Sequence, residues 1–247
     1  MPRKLEYTEE EGKKMFFTSD SHWRHENIIK YCGRPFSSVD EMDEELIRRW
    51  NEKVPKDGVV WHLGDVGFAH PQIINDILDR LNGTINLVIG NHDWRRVLSQ
   101  HSSRFNIIAQ QVSMKIGKQH IVLNHYPFLC FSGAYRGLDS TWQLFGHVHT
   151  SKTCNMGLDQ KRMVHLFPTQ YDVGVDNNDY APISFEEVKK IITERQLSLN
   201  MVSNNETHSP TLTNAIKLIE RLGISQESVD KVKGILEGEM STIRDNF

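Results

Sequence analysis

Ile85-Asn86-Leu87-Val88-Ile89 runs straight into Gly90-Asn91-His92-Asp93, and this junction decides the fold. The apolar run has the length and content of a buried strand, and it ends abruptly in an amide, an imidazole and a carboxylate. In open α/β sheets ligands sit beyond the carboxyl ends of strands. Read alone, the tetrad serves equally well as a turn, since Gly, Asn and Asp are the commonest turn formers. Recurrence along the chain separates the two readings.

Met15-Phe16-Phe17-Thr18 reads as a buried strand and ends in Ser19-Asp20-Ser21-His22. Residues i and i+2 of an extended chain share a face, so Asp20 and His22 can address one object. Val59-Val60-Trp61-His62-Leu63 delivers Gly64-Asp65, with His62 inside the strand as a packed core histidine. Val112–Ile116 and Gln119–Leu123 form a hairpin about Gly117-Lys118, whose second arm ends in Asn124-His125-Tyr126-Pro127. Trp142–Phe145 ends in Gly146-His147-Val148-His149. Helices fall between these strands. Ser38 and Glu41 make a capping box ahead of Val39, Met42, Leu46, Trp50 and Val54. Pro71 opens a helix with Ile73, Ile74, Ile77, Leu78 and Leu81 on one face, stopped by Asn82-Gly83. Residues 94–98 read as a short helix, Met163–Phe167 and Tyr171–Val175 as further strands, and Ser184 and Glu187 as the cap of a helix burying Phe185, Val188, Ile191 and Ile192. Alternating strands and helices argue for an α/β layered fold.

At 247 residues, with 38% hydrophobic and 25% charged residues, the chain can bury a sizeable core. Its net charge of −3 gives no general attraction to nucleic acid, so any grip on phosphate is local. Cys32, Cys130 and Cys154 are an odd number without zinc-type spacing, which implies free thiols and a cytoplasmic setting. The charged N-terminal segment lacks the apolar core of a secretory signal, and nothing reaches the roughly 18 apolar residues that span a bilayer. Residues 1–14 read as a loosely attached polar extension, 15–196 as the main domain and 197–209 as a polar linker. Residues 210–247 read as a helical hairpin whose apolar stripes must be covered by the main domain or by a second copy, making a homodimer.

The strand ends together present Asp20, His22, Asp65, Asn91, His92, His125, His147 and His149. Mixed oxygen and imidazole donors without a thiolate suit a catalytic Mn, Fe, Zn, Ni or Co ion. The donors are too many for one ion that keeps an open position, and two ions sharing a carboxylate fit the number. Two divalent ions bring +4 and the two aspartates return −2, leaving +2 for a hydroxide and an anionic substrate. Such a pair clamps phosphate oxygens and lowers the pKa of a shared water from about 15.7 toward about 7.

The ordered set Asp20-Ser21-His22, Gly64-Asp65, Gly90-Asn91-His92-Asp93, His125 and Gly146-His147-Val148-His149 resembles the calcineurin-like metallophosphoesterase family, over roughly residues 15–192. The resemblance implies a four-layer αββα sandwich, followed here by a C-terminal helical extension, and a dinuclear metal centre at one end. It assigns Asp20, His22 and His149 to one metal, Asn91, His125 and His147 to the other, and Asp65 as the bridge. Mn²⁺ stands first among the ions above, with a bridging hydroxide as nucleophile. His92 is then the general acid, oriented by Asp93. The expected reaction is hydrolysis of phosphomono- or phosphodiesters, nucleotide-derived esters included, with a single-strand nuclease or a non-catalytic metal-binding scaffold as the alternatives. Pocket walls are expected from the loops after the ligand-bearing strands, with His25, Arg34, Arg95 and Tyr126 as substrate contacts.

Overall fold

Alternation along the first apolar strands sorts their side chains onto two faces. In β2 (Met15–Thr18), β3 (Val59–His62) and β4 (Thr84–Val88), Phe16, Val60, Ile85 and Leu87 pack with Ile28, Met42, Leu46, Trp50, Ile74 and Ile77. Those partners come from α2 (Glu26–Cys32), α3 (Val39–Lys53) and α4 (Pro71–Leu78). Met15, Phe17, Trp61 and Val88 face the other way, onto Val112, Met114, Ile121, Leu123, Trp142 and Leu144. This second set belongs to β6 (Gln111–Ile116), β7 (Gln119–Asn124) and β8 (Trp142–Phe145). A period of two therefore places one sheet between a helical layer and a second sheet.

The structure is a computed structural model describing residues 5–93, 102–136, 140–149, 161 and 163–204, of which 102 and 198–204 are described by their backbone. β5 (Ile108–Ala109), β9 (Gln170–Asp172), β10 (Ile183–Ser184) and β1 (Leu5–Tyr7) complete two five-stranded mixed sheets, ordered β10-β2-β3-β4-β5 and β1-β6-β7-β8-β9. With their flanking helices they make the α/β sandwich expected from the sequence. Phe185, Val188 and Ile192 of α5 (Phe185–Asn204) join the core between the sheets.

Register brings the polar ends together. β2, β3 and β4 run parallel with Thr18 opposite His62 and His62 opposite Leu87, so the segments beginning at Ser19, Leu63 and Ile89 leave one edge side by side. In the other sheet β7, β8 and β9 are parallel, with Leu123 opposite Leu144 and Leu144 opposite Tyr171. His125, Gly146–His149 and the chain after Asp172 follow from that edge.

Several expectations change. Residues 5–14 are not loose: β1 pairs in parallel with β6, and α1 (Glu9–Gly12) is closed by a capping box between Thr8 and Glu11. Leu5 and Tyr7 share a face and reach the inter-sheet core, which the charged residues around them obscure. Residues 163–167 are not a strand: Met163 is helical and a turn follows it, with Leu166 N–H bonded to Met163 O and Val164 62% exposed. Cys32 is disulfide-bonded, against the expectation of free thiols, and Cys130 is free. The chain divides into units Met1–Gln196 and Leu197–Phe247. Residues 197–204 continue α5, while the short helix at 94–98 and the hairpin at 210–247 lie outside the described residues. No helix among the described residues is long and apolar enough to cross a membrane.

Candidate metal centre

The strand ends do not continue straight; they curl. Asp20, His22, Asp65, His147 and His149 have φ of 57°, 51°, 58°, 71° and 37°, the left-handed region that costs a side-chain-bearing residue about 1–3 kcal/mol. Cross-links hold the curls in place. Asp20 N–H donates to Gly64 O (2.9 Å), His22 N–H to Asp65 O (3.1 Å) and His147 N–H to Asp20 Oδ2 (2.8 Å). Gly146 is required by close approach, since a Cβ there would collide with Ser19 Oγ and Asp20 Oδ2.

Three groups of donors result among the described residues; the third, Cys32, His149 and Asp176, shares His149 with the first and its Cys32 is disulfide-bonded, which leaves two groups of free donors. Asp20, His22 and His149 converge so that one ligand atom from each lies within 4.8 Å of the others, and Asp65, His125 and His147 do the same. Asp20 Oδ1 stands 4.0 Å from His22 Nε2 and 3.9 Å from His149 Nε2. Asp20 Oδ1 and His22 Nε2 are buried with no hydrogen-bond partner. Buried polar atoms are normally paired, so the fit of this group to a cation rests on these orphaned atoms and on a donor set of carboxylate and imidazole. Asn91 Oδ1, 2.9 Å from His125 Nε2, adds an oxygen to the second group. Asp65 Oδ2 lies 3.7 Å from His22 Nε2 and 3.5 Å from His125 Nε2, between the two groups.

The other ring nitrogens are fixed. His125 Nδ1 donates to Leu63 O (2.7 Å), which leaves Nε2 toward the site, and His149 Nδ1 lies 2.7 Å from Asp176 Oδ2. Burial, with the neighbouring His149 and Arg34 charges, holds His22 well below the usual imidazole range, and burial with His125 lowers His147. Both are therefore neutral, the form that ligates. Burial opposes the charge on Asp65, yet hydrogen bonding and charge from His125 and the His92 N–H keep it below the usual carboxylate range. His62 is the packed core histidine expected. Burial pushes it down to about 3, its Nδ1 accepts from Gly64 N–H, and its Nε2 therefore donates to Ser21 Oγ at 2.9 Å.

The remaining site residues divide. His92, 45% exposed, has its Nε2 3.9 Å from Asp65 Oδ2 and its N–H bonded to Asp65 Oδ1. Tyr126, 44% exposed, packs edge-on against His147 and His125. His25 Nδ1 lies 3.2 Å from His22 Nδ1, and its ring stacks on Phe68 at 4.1 Å. Asp93 does not orient His92. Its buried carboxylate accepts from the N–H groups of Asp65, Val66 and Gly90 (2.8, 3.0 and 2.9 Å). Arg34 is no substrate contact either. Its fully buried guanidinium donates to both Asp176 oxygens, to Asp20 O and Ser21 O, and to Met42 Sδ. Arg95 lies outside the described residues. Sequence reasoning missed Phe68, whose ring also lies against His22 and His92, and Asp176. The signal for Asp176 was available, since it too follows a strand end.

These features define a class, an α/β sandwich with candidate metal-ligand groups at one edge. The chain belongs to the calcineurin-like phosphoesterase superfamily, whose domain matches residues 14–167. It is 30% identical over 182 residues to the uncharacterized protein MJ1445 of Methanocaldococcus jannaschii, covering 73% of this chain and 92% of that one. It is 25% identical to the Gene 66 protein of Mycobacterium phage L5, covering 65% and 86%. A crystal structure of a protein of unknown function, AQ665 from Aquifex aeolicus, shares the fold with a TM-score of 0.53 and 24% identity, covering 72% of this chain and 98% of that one.

Proposed function

We propose that this chain is a two-cation phosphoesterase hydrolysing phosphomono- or phosphodiesters, nucleotide-derived esters first among them. The observation that carries the reading is Asp65 Oδ2, placed 3.7 Å from His22 Nε2 and 3.5 Å from His125 Nε2, as a carboxylate shared by two ligand groups would be. In this reading Asp20, His22 and His149 hold one divalent ion, and Asn91, His125 and His147 the other, with Mn²⁺ the first to try. When bound, such ions supply Lewis acidity toward phosphate oxygens and a water of lowered pKa. His92 rises from a backbone N–H anchored on Asp65 Oδ1 and keeps its ring open to solvent. It protonates the leaving oxygen, an assistance worth about 10²–10⁴-fold. His25 and Tyr126 flank the two groups and meet the organic part of the ester, where the face of an aromatic ring suits a nucleobase. Arg95 is a further phosphate contact in this reading.

The test is hydrolysis of bis-p-nitrophenyl phosphate and p-nitrophenyl phosphate with added Mn²⁺ by the wild type, His92→Ala and Asp65→Ala. The expected result is activity abolished by chelator and restored by Mn²⁺, with each variant slower by at least about 10²-fold. Equal rates in all three proteins would discard the enzyme reading.

A further inference from the structure

We propose that Asp176 and Arg34 are positioning residues that set the cation affinity of the Asp20–His22–His149 group by fixing the tautomer of His149. The inference rests on the reading that this group holds a divalent ion. His149 Nδ1 is 2.7 Å from Asp176 Oδ2. A carboxylate has no proton to give at that distance, so His149 Nδ1 carries a proton, and Nε2, 3.9 Å from Asp20 Oδ1, is the nitrogen left to ligate. Outer carboxylates of this kind orient metal-bound imidazoles and increase their basicity.

Asp176 is itself buried, and its charge would be costly without a partner. Arg34 provides one in a two-point pairing, Nε to Oδ1 at 2.8 Å and Nη2 to Oδ2 at 2.9 Å, the planar fork geometry that lysine cannot reproduce. The same guanidinium donates to Asp20 O (2.8 Å) and Ser21 O (2.9 Å), the carbonyls of the left-handed turn that carries Asp20 and His22. One buried cation thus ties together three separate stretches of sequence: the end of β2, the loop after β9 and, through Asp176, the end of β8. The second group is built differently, since the outer nitrogen of His125 meets the neutral carbonyl of Leu63. Loss of the Asp176 charge is therefore felt at the first group and not at the second.

The full chain is titrated with Co²⁺ and with Mn²⁺, following the visible spectrum and the heat of binding. Asp176→Asn is expected to weaken one class of cation by about 10–100-fold and leave the other unchanged. In a His149→Ala background the same substitution is expected to have little further effect, because its route to the cation is gone. Unchanged affinity in Asp176→Asn, or an equal loss with and without His149, would overturn the proposal in favour of a merely structural pair. If Asp176→Asn fails to fold because Arg34 is left unpaired, Arg34→Met combined with Asp176→Asn removes both charges and takes its place. The wild type offers a check without substitution: in the cation-saturated protein ¹⁵N spectra of the histidines are expected to show His149 protonated on Nδ1 and bare on Nε2, and a proton on Nε2 there refutes the proposal. A wild type that binds no cation defeats the two-cation reading itself, whereas a wild type that binds normally beside an unaffected variant defeats only this inference.

Discussion

His125 Nε2 lies 3.5 Å from Asp65 Oδ2, and the pairing keeps a proton where a cation would sit. Burial works against a charged imidazole, but the hydrogen bond to Asp65 and the charges of Asp20 and Asp65 outweigh it and raise His125 to about 9. Below that pH a cation entering the second group displaces this proton. Affinity at the second group is therefore expected to climb by about tenfold per pH unit up to about 9, with close to one proton released per ion at neutral pH. Calorimetry in buffers of different ionisation heat measures the release directly, and binding without proton release contradicts the pairing.

Asp93 joins the loop after β3 to the loop after β4 by accepting three backbone N–H groups, those of Asp65, Val66 and Gly90. Truncation to alanine strands these buried donors, each worth about 1–3 kcal/mol when left unpaired. With partial relaxation, Asp93→Ala is expected to lower stability by about 2–5 kcal/mol, read as a shifted denaturant midpoint in the presence of chelator. A loss below about 1 kcal/mol would show that the two loops hold together without it.

The strand-end donors were legible because each follows a short buried run, and a parallel register carries such runs to one edge. Asp20, His22 and His149 come together in one donor group and Asp65, His125 and His147 in another, with Asn91 Oδ1 beside His125. Direction was not legible. Arg34 and His25 flank the two ends of α2, yet one turns its guanidinium wholly inward and the other meets His22, and nothing in residue type separates them. Asp93 follows a histidine that it does not bind; two of its three partners, Asp65 and Val66, come from a loop distant in sequence. β1 is three residues long and pairs with a strand more than a hundred positions away, so its local pattern is too short to register. Asp176 was within reach of the same strand-end rule, but Asn177, Asn178 and Asp179 beside it give that segment the composition of an ordinary turn.

Asp172 provides the final test, because its burial has an unusual consequence for stability. Its Oδ1 accepts from Gly174 N–H at 2.8 Å, while its Oδ2 is buried with no partner. Burial, reinforced by the charge of Asp20, pushes its carboxyl from 3.8 up to about 7. The folded chain thus holds a proton that the unfolded chain releases. The stabilising contribution is full below about pH 4 and is lost as pH rises through about 7. Asp172→Asn keeps the shape and removes the titration. The stability of the wild type relative to this variant is therefore expected to fall from pH 4 to pH 7 and level off above, by at most about 4 kcal/mol. Denaturant unfolding of both proteins at a series of pH values in chelator measures the difference. Saturating Mn²⁺ is expected to flatten the trend, since a cation beside Asp20 offsets the second cause of the shift. A difference constant with pH would mean that Asp172 is ionised in the fold and reaches a partner that its buried Oδ2 lacks here.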